Sequence, residues 1–151
     1  MLVMILTIYV HAIVPLSVLA ALAAARWGGT TEKWFAWAFA TAAIGQKLVQ
    51  GAGRTMYVGL EPGVALLDFA LFITFLLLSV RCPKTWLLIA TAFQLLSASA
   101  HLARIVDIGM SPLAYAILMG SGGYPILILL AAGIVAKARQ QAKMRPPVAT
   151  G

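Results

Sequence analysis

The sequence has little charge, since only 10% of its 151 residues are Asp, Glu, Lys or Arg while 62% are hydrophobic. A soluble domain usually carries about 25% charged residues. A shortfall of this size cannot cover a surface that faces water, so most of the surface must face something apolar. The low charge therefore excludes an ordinary soluble domain, and the length favours a single domain.

Cysteine and catalytic motifs are also scarce. Cys82 is the only cysteine, which excludes an intramolecular disulfide. The sequence contains no G-x-S-x-G, no H-E-x-x-H and no phosphate-binding loop. Four acidic residues and two histidines offer too few ligands for a convincing zinc site. These absences favour a protein that is not an enzyme.

Long apolar stretches are what the sequence has instead. Charged residues recur at intervals of about 20 to 30 residues, the length that a ~30 Å hydrocarbon layer requires of a helix. Glu61-Pro62, Cys82-Pro83 and Ser111-Pro112 each place proline in a first helical turn, where it is well tolerated. We predict an all-α membrane protein, a bundle of five transmembrane helices at about 2–25, 34–50, 62–80, 83–106 and 112–136.

The two ends of the chain need separate interpretation. Segment 2–25 has no charge, and a cleaved signal peptide is the alternative to a retained helix. We favour the retained helix because no Lys or Arg precedes the segment and because it is longer than a signal core. Residues 137–151 are rich in Lys, Arg and Gln and contain Pro146-Pro147, which predicts a basic, mobile tail.

The basic residues predict an orientation. With five helices, eight of the eleven Lys and Arg residues fall on one side and three on the other, so the larger set should be cytoplasmic and the N-terminus outside. All four tryptophans flank loops of the basic side, as an interfacial belt would place them. The larger set is Arg26, Lys33, Arg81, Lys84, Lys137, Arg139, Lys143 and Arg145, and the smaller is Lys47, Arg54 and Arg104.

The net charge of +7 is accounted for by this asymmetry. Because the basic residues lie in short loops between apolar runs, we predict contact with anionic lipid headgroups and no binding of nucleic acid. The expected location is the bacterial inner (plasma) membrane, and the expected partners are the bilayer, a second copy of the chain or a larger membrane complex.

Ionisable side chains within the predicted helices collect toward the outer side. Asp68 and His101 each lie six residues from the outer end of a helix, or about 9 Å. Gln94, Ser97, His101 and Arg104 share one face of the fourth helix, which should turn inward. Because pairing is the least costly way to bury a carboxylate, we predict that Asp68 contacts His101, Arg104 or Lys47. Simple stabilisation of the bundle is the alternative role.

The fifth helix contains a second feature, the run from Gly120 through Pro125. Pro125 removes a backbone donor and clashes with the carbonyl of Ser121, while the glycines weaken the same turn. A discontinuous helix of this kind marks binding sites in many transporters. Close helix packing through glycine is the competing explanation.

Two functions from different classes follow. One is binding or translocation of a small solute, ion or proton at an outward-facing polar pocket, and the other is a non-catalytic accessory or scaffold subunit. A bis-histidine haem on His11 and His101 is a remote third, because the two residues differ in depth and no C-x-x-C-H motif is present. The predicted pocket consists of His11, Lys47, Asp68, Gln94, Ser97, His101, Arg104, Ser121 and Pro125.

Overall fold

The structure is a computed structural model that describes residues 2–50, 62–107 and 109–144, with side chains at 12–49, 62–107, 109–111 and 113–144. Within this part of the chain every regular element is an α-helix. The helices are α1 (Leu2–Trp27), α2 (Thr30–Gln50), α3 (Pro62–Arg81), α4 (Thr85–Val106), α5 (Pro112–Gly120) and α6 (Gly123–Lys143).

The helices form a closed ring in chain order. Contacts join α1 to α2, α2 to α3, α3 to α4, α4 to both α5 and α6, and α6 back to α1. From α1 to α5 successive helices alternate in direction and α6 continues the direction of α5, so α1, α3 and α6 end where α2 and α4 begin. We call this the basic end. Its contacts include an ion pair between Lys84 and Glu32, with Nζ and Oε1 2.6 Å apart.

The predicted count of five segments fits, because α5 and α6 together form one path. Several boundaries differ from the prediction, and three of them concern the start of a helix or the tail. The second helix begins at Thr30 rather than near residue 34, since Lys33 N already bonds to Gly29 O. The fourth begins at Thr85 rather than 83. The last continues to Lys143, so the predicted tail is helical as far as that residue. The Ala, Lys, Arg and Gln of this stretch are good helix formers.

Three of the described segments are long and apolar enough to span a membrane. They are Pro62–Arg81, Thr85–Val106 and Leu113–Lys143, while Ala12–Trp27 is a shorter apolar helix. Leucine, isoleucine and valine side chains lie exposed on the outer faces of the bundle, Leu48 and Val80 among them. An apolar exterior of this extent indicates a protein that spans a membrane.

The buried face of α3 shows how the interior is layered. Asp68, Leu71, Phe75 and Ser79 follow one another at spacings of three and four residues. Phe75 stacks on Phe35 with ring centroids 3.8 Å apart, which forms an aromatic layer. A polar layer at Asp68 therefore lies on the side of the aromatic layer that faces away from the basic end.

Small residues allow these helices to pack closely against one another. Fully buried alanines lie on α1, α2 and α4, where a short side chain lets two backbones approach. At Gly133 of α6 a Cβ would lie 2.8 Å from Cε2 of Trp86, so the indole occupies the space that glycine leaves. The fully buried alanines are Ala21, Ala24, Ala36, Ala40, Ala90, Ala98 and Ala100.

Candidate functional site

The carboxylate of Asp68 is the centre of the polar layer. Its Oδ1 accepts hydrogen bonds from Gln46 Nε2 at 2.8 Å and from Gln94 Nε2 at 3.1 Å. Its Oδ2 lies 2.9 Å from His101 Nε2. Asp68 is 3% exposed, and side chains from α2 and α4 hold it in place. Three donors around one carboxylate are the arrangement that makes a buried ionised group tolerable.

His101 continues the network to α5. Its Nδ1 lies 2.7 Å from the hydroxyl of Tyr115, and the two rings meet edge to face with centroids 5.7 Å apart. With Nε2–H donating to Asp68, a neutral imidazole accepts at Nδ1 from the Tyr115 hydroxyl. The chain Asp68, His101, Tyr115 therefore connects three helices through buried side chains.

A cavity of about 110 Å³ lies beside this network, and all six helices contribute to its wall. Asp68 and Gln94 line it, whereas His101 is fully buried behind Asp68 and does not. Its remaining lining residues are Ile13, Phe39, Ala42, Ala43, Gln46, Lys47, Leu71, Ser97, Met119, Gly120, Gly123 and Tyr124.

Lys47 is the second charged side chain of this cavity. Its Nζ is buried and has no hydrogen-bond partner among the residues that the structure describes. A buried amino group that makes no hydrogen bond to the described residues is a costly feature unless something else binds it. In this cavity the carboxylate of Asp68 has its hydrogen-bond donors, whereas the amino group of Lys47 has no acceptor among the described residues.

The junction between α5 and α6 forms another part of the wall. At the predicted interruption α5 ends at Gly120 and α6 begins at Gly123, while Ser121 and Gly122 keep right-handed helical angles, so the path of the helix continues. Ser97 Oγ donates to Met119 O at 2.7 Å, which gives the last turn of α5 a partner from α4. At Gly122 a Cβ would lie 3.0 Å from Phe93 O, so close packing and interruption occur together.

The structure brings four of the nine predicted pocket residues to the cavity wall: Lys47, Asp68, Gln94 and Ser97. Of the three partners predicted for Asp68, His101 is in contact. The other predicted residues are placed as follows. Arg104 donates from Nη1 to Met110 O, Ser121 Oγ donates to Leu118 O, Pro125 lies one residue beyond Tyr124 of the wall, and the His11 side chain lies outside the described residues.

Sequence reasoning did not place three residues that matter here. Gln46 forms an i, i+4 pair with Gln50 along α2, but nothing in the sequence aims it at Asp68. Tyr115 lies three residues after Pro112 and carries no signal that it will reach His101. From the sequence Glu32 is expected to be an exposed charge in a loop, yet it is 1% exposed and forms an ion pair with Lys84. In each case the partner lies outside the helix that carries the residue, on another helix or, for Lys84, in the turn before α4.

The haem alternative conflicts with this geometry. Both ring nitrogens of His101 lie within hydrogen-bond distance of side chains, Asp68 on one side and Tyr115 on the other. A haem iron needs one of these nitrogens free. Among the described residues, no group of three or more His, Cys, Asp or Glu side chains is placed to bind a metal ion.

Comparison with protein-family models, with curated proteins and with solved structures finds no match for this chain. Its function is therefore argued from the site.

Proposed function

We propose that this chain is a membrane protein that binds a small carboxylate in the cavity beside Asp68 and passes it between the helices. The observation that carries the proposal is Lys47, whose buried Nζ has no partner among the described residues and lines the cavity. A carboxylate supplies the acceptors that an amino group lacks. Phe39, Leu71 and Met119 provide an apolar wall for a short alkyl chain.

The size of the cavity limits the ligand. A cavity of about 150 Å³ holds benzene, which has six heavy atoms. On the same scale the cavity of about 110 Å³ holds about four heavy atoms, the size of acetate. Because the cavity is partly open, it suits molecules from acetate to butyrate, the longer of which would extend into the opening. For such small ligands we expect a dissociation constant on the order of 0.1 mM, which stays below the ceiling of about 1.5 kcal/mol per heavy atom.

Thermal unfolding of the full chain in nanodiscs tests the binding. At 10 mM butyrate, or about 100 times the expected dissociation constant, the wild type should gain roughly 2.7 kcal/mol of stability. Lys47→Met should bind butyrate at least tenfold more weakly, whereas Lys143→Met, which removes an exposed lysine of α6, should behave as the wild type. Equal stabilisation of the wild type and Lys47→Met contradicts the proposal. Stabilisation by butylammonium instead would assign the site to a cation on Asp68.

Passage of the ligand requires a second measurement, uptake of labelled butyrate into proteoliposomes. The α5–α6 interruption lies in the cavity wall and offers a hinge, and Phe35 and Phe75 form a layer between the cavity and the basic end. Uptake that Lys47→Met abolishes supports translocation. Binding without uptake restricts the protein to the binding function.

The proposed orientation places the basic end in the cytoplasm and the cavity toward the outer side, because Lys and Arg accumulate in cytoplasmic loops. Cys82, the only cysteine, lies in the turn between α3 and α4 at the basic end and reports on this directly. A membrane-impermeant maleimide should label it in inverted membrane vesicles and not in intact cells. The opposite pattern would reverse the orientation and direct the cavity inward.

A second candidate function is an accessory subunit of a larger membrane complex. The completeness of the Asp68 network favours it, since Gln46, Gln94 and His101 satisfy the carboxylate without any ligand. This candidate predicts no stabilisation by butyrate and a partner that co-purifies with the wild type.

A further inference from the structure

The seam between α2 and α3 forms a long depression on the outside of the bundle, which shares Ala42 and Leu71 with the wall of the Asp68 cavity. Two adjoining spaces of about 710 Å³ and 240 Å³ share the residues Ala38, Thr41 and Thr74. We call them together the α2–α3 furrow. It is lined by Thr30, Thr31, Trp34, Trp37, Ala38, Thr41, Ala42, Leu67, Ala70, Leu71, Thr74, Leu77, Leu78, Arg81 and Cys82.

The furrow exists because small side chains line both helices. Ala38 and Thr41 of α2 face Ala70 and Thr74 of α3 across it. Both threonine hydroxyls are satisfied within their own helices, since Thr74 Oγ1 donates to Ala70 O at 2.8 Å and Thr41 Oγ1 lies 2.9 Å from Trp37 O. Threonine therefore presents its methyl group, and the furrow is apolar along its length.

The two ends of the furrow differ. At the basic end lies Arg81, which is exposed and has no hydrogen-bond or ion-pair partner among the described residues, with the exposed indoles of Trp34 and Trp37 nearby. Tryptophan and arginine side chains are typical of the level of lipid headgroups. From Arg81 to Leu67 is fourteen residues, or about 21 Å of helix. Half of a ~30 Å hydrocarbon core is about 15 Å, so one acyl chain fits.

We propose that the α2–α3 furrow binds one acyl chain of an anionic glycerophospholipid, with the phosphate on Arg81. The charge distinguishes this occupant from a second copy of the chain. Lys33 is also exposed at the same end of α2, so copies meeting along the furrow in parallel would bring like charges together. An anionic headgroup is attracted by the same charges, and the apolar furrow excludes any polar ligand of similar length.

Native mass spectrometry of the full chain in detergent tests the proposal with added phosphatidylglycerol or phosphatidylcholine. The wild type should retain one phosphatidylglycerol at least fivefold more than phosphatidylcholine. Arg81→Gln should remove this preference, whereas Arg139→Gln, a matched loss of an exposed arginine on α6, should keep it. Equal retention of the two lipids by the wild type would overturn the proposal.

A second variant tests the apolar part of the furrow. Thr74→Leu places a larger side chain about 10 Å from Arg81 along α3 and should reduce the retention of both lipids at least threefold. Ser99→Leu is its control, since the Ser99 hydroxyl likewise bonds within its own helix, to Leu96 O at 2.8 Å, and lies outside the furrow. If Thr74→Leu retains lipid as the wild type does, the furrow is not the site. A dimer that Thr74→Leu disrupts would assign it to a second copy.

Discussion

Two buried carboxylates, one near each end of the bundle, are stabilised in different ways. Asp68 accepts from three side chains on α2 and α4, and none of these donors is charged unless His101 is protonated. Glu32 accepts at Oε1 from Lys84 alone, and its Oε2 has no partner among the described residues. Asp68 thus relies on hydrogen bonds fixed by the fold, and Glu32 relies on a single ion pair.

The partners of the two carboxylates also differ in their access to solvent, and this difference determines how each site responds to substitution. The partner of Glu32 is 36% exposed at its side chain, so Lys84 can turn to water or to a headgroup when the pair breaks. Two of the three donors around Asp68 have no such alternative, because Gln94 and His101 are buried, whereas Gln46 is half-buried. A buried donor that loses its acceptor costs its full desolvation penalty. The network at Asp68 should therefore resist change, while the pair at Glu32 should tolerate it from one side.

The largest effect is expected from Asp68→Ala, which leaves donors from Gln46, Gln94 and His101 without an acceptor. We expect a loss of about 3 kcal/mol in the free energy of unfolding. Asp68→Asn should cost only about 1 kcal/mol. The asparagine oxygen still accepts from the glutamines, and its amide can donate to His101 Nε2 if the imidazole moves its proton to Nδ1. Thermal unfolding of both variants in detergent measures the difference. Equal losses would show that charge, and not hydrogen bonding, determines the stability of this layer.

The layer around Asp68 was partly predictable from the sequence. Depth arithmetic places Asp68 and His101 each about 9 Å from the outer helix ends, and the two side chains meet at 2.9 Å. The spacing of Gln94, Ser97 and His101 identifies the inner face of α4, which is buried as expected. Periodicity succeeds here because lipid forces polar groups inward, which leaves one orientation for the helix.

Partners across the bundle were not predictable in the same way. Arg104 lies on the predicted face, but it is about one turn beyond His101 and near the helix end, and it donates to the carbonyl of Met110 instead. Tyr115 is buried where α5 packs against α4, and Glu32 is buried beside Lys84 and close to Lys137 of α6. Which side chains meet depends on the rotation of each helix against its neighbours, and periodicity within one helix does not define that rotation.

The Glu32–Lys84 pair should show an asymmetry that Asp68 lacks. Lys84→Met leaves a buried carboxylate without its partner and should cost about 2 kcal/mol, while Glu32→Gln should cost less than about 1 kcal/mol because Lys84 returns to solvent. Lys137 should limit the loss from Lys84→Met, because it lies close to Glu32. Both side chains flank Gly29, where an added Cβ would be 2.8 Å from Glu32 Oε2 and 3.3 Å from Lys137 Cε. Unfolding in detergent compares the two variants, with Lys143→Met as the control. A greater loss for Glu32→Gln would mean that the pair itself stabilises the fold.

The smallest effect is expected from Tyr115→Phe, which removes the hydroxyl that lies 2.7 Å from His101 Nδ1 and keeps the edge-to-face contact of the rings. A loss of about 1 kcal/mol is the usual cost of one buried hydrogen bond. Because this loss is small, a double-mutant cycle is the better test of whether Tyr115 and Asp68 are coupled through His101. Combined with Asp68→Asn, the variant should deviate from additivity by at least ~0.5 kcal/mol, because the shifted imidazole proton needs the Tyr115 oxygen as its acceptor.

Tyr115→Phe combined with Lys84→Met is the contrasting double mutant. Lys84 and His101, the partner of Tyr115, are seventeen residues apart in the chain, or about 25 Å of helix, so the losses from the two substitutions should add within about 0.5 kcal/mol. Coupling near Asp68 together with additivity across α4 would establish that the two carboxylates belong to independent units of the bundle. Coupling across this distance would instead mean that α4 transmits a change at the basic end to the cavity, as a protein that moves a solute between its two ends requires.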